Sequence, residues 1–407
     1  MAKSEGAQAR VGPLGGVRVL ELGVLLAGPF TARMLGDFGA EVIKVESPGV
    51  GDPLREWGRQ VDGIGLLWSV MSRNKRLVTL DLRREGGQQV FRRLAATADV
   101  VVENFRPGTL ERWGLGPERL QEANRGLVVT RVSGYGQTGP YAARAGFASA
   151  GEAMGGLRYI NGHPGEAPPR MGISLGDSLA AMFAAQGTLM ALYHRAAHGG
   201  AGQVVDASIL ESCFSMLEST VPDYARFGLV REPSGTSLAG VAPSNVYLSG
   251  DGKWMVIAAN APTLFERLCR VIGRPELVTD GRFATHAARG RNAAELDAII
   301  GAWVAERDAA AIDAAMNGAG IVCGPVYSIA DIFADPHYQA RGLLQPVPDP
   351  VLGEVVMPGV VPVLSETPGG IAWSGRRGLG ADNEAVYGEL LGLGPAELAG
   401  LKAEGVL

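Results

Sequence analysis

The stretch VRVLELGVLLAGPFTARMLGDFGAEVIKVES, residues 17–47, decides the fold. Its first segment, VRVLELG (17–23), is an apolar run with β-branched residues and predicts a strand. PFTARMLGDFG (29–39) follows with helical spacing, and AEVIKVES (40–47) predicts a second strand. A strand, a helix and a strand in close succession indicate parallel strands joined by a crossover helix.

The same alternation continues towards the middle of the chain. Strands are predicted at 76–82, 99–105 and 126–136, with a helix at 84–98 between the first two. Strands that alternate with helices favour a parallel sheet covered on both faces, and hence an α/β, Rossmann-like topology. The first strand-to-helix turn, LGVLLAGPF, has no G-x-G-x-x-G motif and no P-loop. The sheet is therefore expected to bind something other than a dinucleotide, or a nucleotide at another place.

The second half of the chain has a different pattern. A long apolar helix is predicted at 178–197, and a proline-containing irregular stretch at 220–245 marks a domain change. A hairpin is predicted at 245–260 around SGDGK, helices at 262–273 and 293–317, and a strand-rich stretch at 352–364. We expect four segments: a disordered extension (1–14), a large Rossmann-like domain (15–220), a smaller α+β domain (221–325) and a return to the large domain (326–407).

Composition narrows the classes of function. The 407 residues are 46% hydrophobic and 19% charged, and the net charge of −5 argues against a nucleic-acid partner. No apolar run approaches the ~18–20 residues of a membrane span, and the N-terminus lacks the apolar core of a signal peptide. We expect no membrane partner and a cytoplasmic location.

Cysteines and histidines give no sign of a metal or disulfide site. Cys213, Cys269 and Cys323 form no C-x-x-C pair, and their odd number excludes a full disulfide framework. Buried structural thiols are the expected state. His194 and His198 are spaced i, i+4, but they precede glycines at a predicted helix end, which favours exposed side chains over metal ligands. No metal is predicted.

One acidic residue stands alone in an apolar environment. The stretch GISLGDSLAAMFAAQG (172–187) contains Asp177, and no other charged side chain follows before Arg195. Residue type alone favours an N-cap for the following helix, which is worth about 1 kcal/mol. The alternative is a nucleophile.

Several stretches together resemble the class III CoA-transferase family, from Gly15 to the C-terminus and in the family's order. They are LAGPFTARMLGDFGAEVIKVE, RNKRLVTLDLR, DVVVENFRPGTLERWG, SGYGQTGPY, GISLGDS and VCGPVYSIADIFADP. The resemblance implies a Rossmann-like domain, a smaller domain and a homodimer of two interlocked chains. It also implies that Asp177 is the nucleophile, which forms a mixed anhydride and then an aspartyl-CoA thioester. Acyl-CoA and a small carboxylic acid are the implied partners, with no tightly bound cofactor.

The resemblance also assigns residues to coenzyme A. Leu26 and Ala27 match positions near the thiol, and Ser47 stands where formyl-CoA transferase has an arginine, so that Lys75 or Arg76 is expected to replace this phosphate contact. The full set of implied CoA-binding positions is Leu26, Ala27, Ser47, Lys75, Arg76, Leu80, Arg83, Asn104, Phe105, Arg106, Arg112, Ala145, Phe147 and Ala148.

Two positions at which this chain differs from related racemases bear on the type of reaction. The related racemases carry a His-Asp pair in R-A-G-H-D, where this chain has Phe147 and Ala148, and neither can carry a proton. Formyl-CoA transferase has an acidic residue at the position of Ala148, so its absence here also argues against oxalate as the acceptor acid. The stretch 146–181 looks most like the branch that acts on C4–C5 dicarboxylates, with Arg158 or Arg170 as the cation for a distal carboxylate. A racemase or epimerase, a transferase for carnitine-type or oxalate-type acids and a non-catalytic acyl-CoA-binding relative remain alternatives.

Overall fold

A computed structural model describes residues 12–375 and 378–407. Most of the predicted N-terminal extension, residues 1–11, lies outside the described residues. Its last three residues do not form an extension, because the Leu14 amide donates to the Phe38 carbonyl at 3.1 Å and the Leu14 side chain packs on the core. The large domain therefore includes residues 12–14.

The strands of the described residues belong to one large sheet and three small ones. In chain order they are β1 (Arg18–Glu21), β2 (Glu41–Glu46), β3 (Gln60–Val61), β4 (Ile64–Gly65), β5 (Lys75–Thr79), β6 (Val100–Glu103), β7 (Val128–Ser133), β8 (Val204–Ser208), β9 (Ser244–Leu248), β10 (Trp254–Ala258), β11 (Val322–Pro325), β12 (Leu344–Asp349) and β13 (Gly353–Pro358).

The helices connect these strands and cover the sheets. They are α1 (Ala27–Asp37), α2 (Leu66–Met71), α3 (Glu85–Ala95), α4 (Thr109–Arg112), α5 (Pro117–Ala123), α6 (Ala148–Met154), α7 (Leu175–His198), α8 (Ile209–Phe214), α9 (Thr220–Phe227), α10 (Pro262–Val271), α11 (His286–Arg291), α12 (Ala293–Ala305), α13 (Ala309–Gly318), α14 (Ile329–Ala334), α15 (Pro336–Ala340), α16 (Asn383–Leu391) and α17 (Pro395–Ala403). Pro53–Glu56 and Pro275–Val278 form single 3₁₀ turns.

Six parallel strands form the central sheet in the order β5-β2-β1-β6-β7-β8. Counted along the chain these are the third, second, first, fourth, fifth and sixth strands, the order of a doubly wound nucleotide-binding sheet. The prediction of an α/β fold with a parallel sheet is confirmed. The order reverses between β1 and β6, and ligands of such sheets bind at the carboxyl ends of the strands at this point.

Alternate residues of the strands pack on opposite faces of the central sheet, as the two-residue period of a strand requires. Val19 and Val42 pack on the face covered by α1 and α7, whereas Leu20 and Ile43 pack on the face covered by α3 and α16. Burial on both faces explains why these strands are almost continuously apolar.

The chain divides into two compact units with bounds that differ from the predicted ones. One unit contains the described residues of Met1–Leu157, Met171–Glu218 and Tyr338–Leu407. The other contains Arg158–Arg170 and Ser219–His337, with the antiparallel sheet β11-β10-β9.

Hydrogen bonds explain both differences in the unit bounds. The Gly235 amide donates to the Gly162 carbonyl at 2.9 Å, which ties residues 158–170 to the second unit. The Val326 amide donates to the Trp254 carbonyl at 2.8 Å, so the return to the first unit begins after residue 326.

Candidate active site

The turn between β1 and α1 lies at the point where the strand order reverses. The Val24 amide donates to Asn104 Oδ1 at 2.8 Å, and Asn104 Nδ2 donates to the Val24 carbonyl at 2.9 Å. A Cβ at Gly28 would lie 3.0 Å from Gly23 Cα and 3.2 Å from Asn104 Cγ, so glycine permits this close approach. Asn104, a predicted CoA contact, thus holds the turn closed without the G-x-G-x-x-G motif.

The same turn leads directly into α1. Leu25 has a positive φ of 63°, which is uncommon for a residue with a side chain. Its amide donates to Asp52 Oδ1 at 3.0 Å, which helps to hold this conformation. Leu26 precedes the helix and Ala27 is its first residue, and Ala27 is buried.

A cleft opens beside this turn, at the carboxyl ends of β1, β2 and β5. Four predicted CoA positions meet there: Ser47, Leu80, Arg83 and Phe105. The ring of Trp113 also lines the cleft and contacts Phe105 edge-to-face, with centroids 5.3 Å apart. The cleft is lined by Leu22, Gly23, Val24, Lys44, Val45, Glu46, Ser47, Gly51, Asp52, Leu80, Asp81, Leu82, Arg83, Phe105 and Trp113.

A buried cluster of charges borders the cleft, which Lys44 and Asp52 of this cluster line. Lys44 Nζ lies 2.8 Å from both Glu21 and Asp52, and Lys75 Nζ lies 2.6 Å from Glu21. Burial opposes the charge of Lys44, but these carboxylates hold its pKa above the usual value. Burial and the neighbouring Lys44 charge lower the pKa of Lys75 to about 8. Lys75 is 0% exposed and paired with Glu21, which argues against its predicted phosphate contact.

The other predicted phosphate cations differ in their surroundings. Arg76 pairs with Glu41 and Glu389 at 2.9 Å and is not among the residues of the cleft, which argues against its predicted role. Arg83 lines the cleft, is 68% exposed and lies 2.8 Å from Asp81. Exposed arginines follow β6 at two further predicted positions, Arg106 and Arg112.

Asp177 lies in the first turn of α7, where it is half-buried. The residue at the N-cap position is Ser174, so the alternative that Asp177 itself is the N-cap is wrong by three residues. The helix begins at Leu175, which makes Asp177 its third residue. A carboxylate in the first turn is stabilised by the helix dipole.

Two further side chains lie close to Asp177. Glu152, on α6, is 2% exposed, and its Oε1 accepts the Gly176 amide at 2.9 Å. Burial raises the pKa of the Cys213 thiol to about 11, and the charges of Glu152 and Asp177 add to this effect. Cys213 is therefore protonated near neutral pH. Sequence reasoning missed Glu152, although an acid within the small-residue run GEAMGG was a usable signal.

Helix α1 connects the turn to the helix of Asp177. Thr31 Oγ1 lies 2.8 Å from the Ala27 carbonyl and 3.4 Å from the Ala181 carbonyl, one turn after Asp177. Ala27 and Ala180 share one buried apolar cluster. One end of the β1–α1 turn thus lines the cleft and the other packs beside the first turns of α7.

The remaining predicted positions contain no acid–base group. Ala145 is exposed, Phe147 is 67% exposed, and Ala148 is the buried first residue of α6. Arg158 and Arg170 belong to the second unit, where Arg158 Nη2 donates to the Pro168 carbonyl at 3.2 Å.

Residues 12–375 and 378–407 contain neither a candidate metal site nor a candidate membrane span. There is no group of three or more histidine, cysteine, aspartate or glutamate side chains suited to a metal ion. Nor does any helix in this part of the chain have the length and apolar character needed to cross a membrane.

Comparison with known proteins places these features in a family. The sequence model of CoA-transferase family III matches residues 14–383. A Chloroflexus aurantiacus protein named succinyl-CoA–D-citramalate CoA-transferase is 53% identical over 396 residues, which cover 97% of this chain and 98% of that protein. The alpha subunit of Chloroflexus aurantiacus succinyl-CoA–L-malate CoA-transferase is 40% identical over 398 residues, with coverage of 97% and 92%. The crystal structure of a CaiB/BaiF family protein from Brucella suis has a TM-score of 0.82 at 33% identity and covers 94% of this chain and 100% of that one.

The doubly wound sheet and its cleft thus belong to an enzyme of CoA transfer, whose substrates are a CoA thioester and a carboxylic acid. The chain belongs to CoA-transferase family III, and the family resemblance seen in the sequence is confirmed.

Proposed function

We propose that this enzyme moves CoA from succinyl-CoA, or a related dicarboxylyl-CoA, to a small carboxylic acid, with Asp177 as the nucleophile. The position of Asp177 carries the proposal: a carboxylate in the first turn of α7, beside a helix whose N-terminus meets the cleft. Cys213 is a poor rival because its thiol is protonated near neutral pH. The names of the two Chloroflexus relatives support succinyl-CoA as donor.

The reaction is a series of balanced acyl exchanges. The Asp177 carboxylate attacks the thioester carbonyl of the donor, the C–S bond breaks, and CoA leaves as a thiolate. The thiolate attacks the aspartyl carbonyl of the anhydride, which releases the donor acid and leaves an aspartyl-CoA thioester. The acceptor carboxylate attacks this thioester, and the thiolate then attacks the acceptor's carbonyl, which restores Asp177. No ATP and no net proton are consumed, but water must be kept away from the anhydride.

The cleft supports a specific path for coenzyme A. We assign the adenosine part to the surface of Leu80, Phe105 and Ser47, where a planar base can contact apolar and aromatic groups. Arg83 at the cleft, with exposed Arg106 and Arg112, provides charge for the phosphates. The pantetheine arm then follows the β1–α1 turn past Leu26 and Ala27 towards Asp177.

The choice of acid and the assembly are parts of the same proposal. A C4–C5 dicarboxylate needs a cation for its distal carboxylate, and Arg158 and Arg170 remain the predicted candidates on the basis of charge and resemblance. We further propose a cytoplasmic homodimer with interlocked chains.

Nucleophilic catalysis is tested by replacing Asp177. Asp177→Ala should lower CoA transfer from succinyl-CoA by roughly 1000-fold or more while CoA binding by calorimetry is unchanged, because the covalent step alone is lost. Wild-type enzyme mixed with succinyl-CoA and no acceptor should yield an Asp177 hydroxamate with hydroxylamine, detected by peptide mass spectrometry. If Asp177→Ala retains more than a few per cent of the wild-type rate, Asp177 is not the nucleophile.

The substrate class is tested separately with a panel of acceptor acids. Mass spectrometry of the CoA esters formed from succinyl-CoA should show citramalate or malate esters before monocarboxylate esters. Arg158→Met and Arg170→Met should show which arginine, if either, favours dicarboxylates over matched monocarboxylates. Equal losses for both classes of acid would make these arginines structural. Rapid uptake of solvent deuterium at the α-carbon of 2-methylacyl-CoA, without an acceptor, would support a racemase instead.

A further inference from the structure

Glu152 occupies a position that the transfer chemistry described above does not use. The first amides of α7 have no partner within the helix, and the N-cap residue Ser174 makes no side-chain capping hydrogen bond. The Glu152 carboxylate accepts one of these amides, that of Gly176, from a different helix. Gly176 immediately precedes Asp177, so this bond fixes the peptide group on which the Asp177 side chain is mounted.

Close packing fixes Glu152 in turn. A Cβ at Gly155 would lie 2.7 Å from Cys213 Cβ, and a Cβ at Gly151 would lie 2.5 Å from Ile209 Cγ2, so α6 is pressed against α8. On the other side, a Cβ at Gly176 would lie 3.1 Å from Glu152 Cγ. The three glycines remove the side chains that would separate these elements. The close packing of α6 therefore fixes the position from which the Glu152 side chain contacts the start of α7.

The charge of Glu152 also needs a reason, because burying a carboxylate is costly unless it is hydrogen-bonded. An apolar side chain at this place would avoid that cost but would leave the Gly176 amide without its acceptor. The structure therefore keeps a buried acid next to a second acid, Asp177, at the start of one helix.

We propose that Glu152 is a positioning residue for Asp177, acting through the hydrogen bond that its carboxylate accepts from the Gly176 amide. The inference rests on the proposed role of Asp177 as nucleophile. Attack on a thioester requires the carboxylate oxygen about 3–3.5 Å from the carbonyl carbon in a fixed direction, and a displacement of about 1 Å costs roughly 100-fold in rate. The acceptor oxygen of Glu152, rather than its charge, is the required feature.

Matched replacements separate the hydrogen bond from the charge. Glu152→Gln keeps an acceptor oxygen at the same reach, whereas Glu152→Met keeps the shape and removes the acceptor. Glu152→Met should lower kcat by ~30–100-fold, with KM for succinyl-CoA changed less than twofold, and Glu152→Gln should stay within about threefold of the wild-type kcat. Single-turnover formation of the hydroxylamine-trapped intermediate should slow by the same factors, and Glu118→Met, at an exposed helix position, should change neither quantity.

Controls keep the result interpretable. Thermal unfolding and CoA binding are measured for each variant, and if Glu152→Met is not folded, Glu152→Asp takes its place, because it withdraws the oxygen by one methylene. It should then be slower than Glu152→Gln. Wild-type kcat in Glu152→Met, a loss in KM alone, or Glu152→Gln as slow as Glu152→Met would each overturn the inference. An active Asp177→Ala would instead overturn the proposed nucleophile, so the two failures are distinguishable.

Discussion

Lys75 is a buried cation that shares the Glu21 carboxylate with Lys44. Its pKa is lowered to about 8 from 10.5, so between these pH values the unfolded chain binds more protons than the native one. Stability therefore rises with pH across this window, by at most about 1.4 kcal/mol per pH unit from this group. Below pH 8 Lys75 is protonated in the native and the unfolded chain, so it no longer makes the free energy of unfolding depend on pH.

Replacement of Lys75 tests this pH dependence. The free energy of unfolding of the wild type and of Lys75→Met is measured by urea titration at pH 7.5 to 10. The stability of the wild type relative to Lys75→Met should increase as pH rises. Lys253→Met, which replaces an exposed lysine, is the matched control. Parallel curves for wild type and Lys75→Met would show that the pKa of Lys75 is not lowered.

Arg83 is the arginine that the structure places at the cleft, which makes it the sharpest test of the CoA path. Loss of a charge-assisted hydrogen bond to phosphate costs about 1.5–3 kcal/mol, or roughly 10-fold or more in affinity. Arg83→Met should therefore raise KM for succinyl-CoA about 10-fold with little change in kcat. Arg119→Met is the matched control, since Arg119 is also 68% exposed and also pairs with an acid. Equal KM values for Arg83→Met and Arg119→Met would show that Arg83 does not bind CoA.

At the scale of elements, the edge strand β5 is closed by side chains from the C-terminal segment rather than by another strand. Asp382 Oδ2 accepts the Leu77 amide at 2.7 Å, Asn383 Oδ1 accepts the Thr79 amide at 2.9 Å, and the Tyr387 hydroxyl donates to the Thr79 carbonyl at 2.7 Å. Uncovered strand edges invite pairing with other chains. The C-terminal return thus protects the edge of the sheet.

Removal of one of these acceptors should weaken the fold. Asp382→Ala leaves the buried Leu77 amide without its acceptor and should lower the free energy of unfolding by about 1–3 kcal/mol, measured by urea titration. Asp382→Asn keeps an oxygen and should lose less. Glu384→Ala, at an exposed position of the same helix, serves as control. A loss in Asp382→Ala no larger than in the control would mean that the edge does not depend on this contact.

Elements with a clear period were predictable, and their ends and breaks were not. The predicted strands at 17–23 and 40–47 contain β1 and β2, and the one at 76–82 overlaps β5, because burial on both faces demands apolar runs. The predicted helix 293–317 is two helices, α12 and α13, which share an apolar period but are separated at Asp308 by an extended backbone. Local apolar spacing does not reveal such a break.

The candidate site was predictable only where a motif marked it. Asp177 and the cleft residues Ser47, Leu80, Arg83 and Phe105 came from the family resemblance. The pairing of Glu21 with Lys44 depends on the parallel register of β1 and β2, in which these residues are direct neighbours. Register is set by the assembled sheet, so single-sequence patterns missed this cluster.

At the scale of the whole molecule, an exposed apolar face on α7 supports the proposed dimer. Met182, Leu189, Met190 and Tyr193 are all exposed and recur at helical spacing, and Tyr193 is 72% exposed. Contiguous exposed apolar surface of this kind marks interaction sites in stable proteins. A second copy of the chain is the proposed occupant, since it follows from the family resemblance.

Interlocked chains differ from an ordinary dimer in how they exchange. Two interlocked rings can separate only after one of them opens, so subunit exchange cannot be faster than unfolding, and slowly unfolding domains have native-state half-lives of up to days. Tagged and untagged dimers mixed at micromolar concentration should remain unmixed for hours in native mass spectrometry, with masses near twice 42.5 kDa. Unfolding and refolding of the mixture should then produce the hybrid dimer, which controls for tag interference. A hybrid within minutes of mixing would indicate a face-to-face dimer, and a mass of one chain would refute dimerisation, because the exposed face of α7 would then lack its proposed partner.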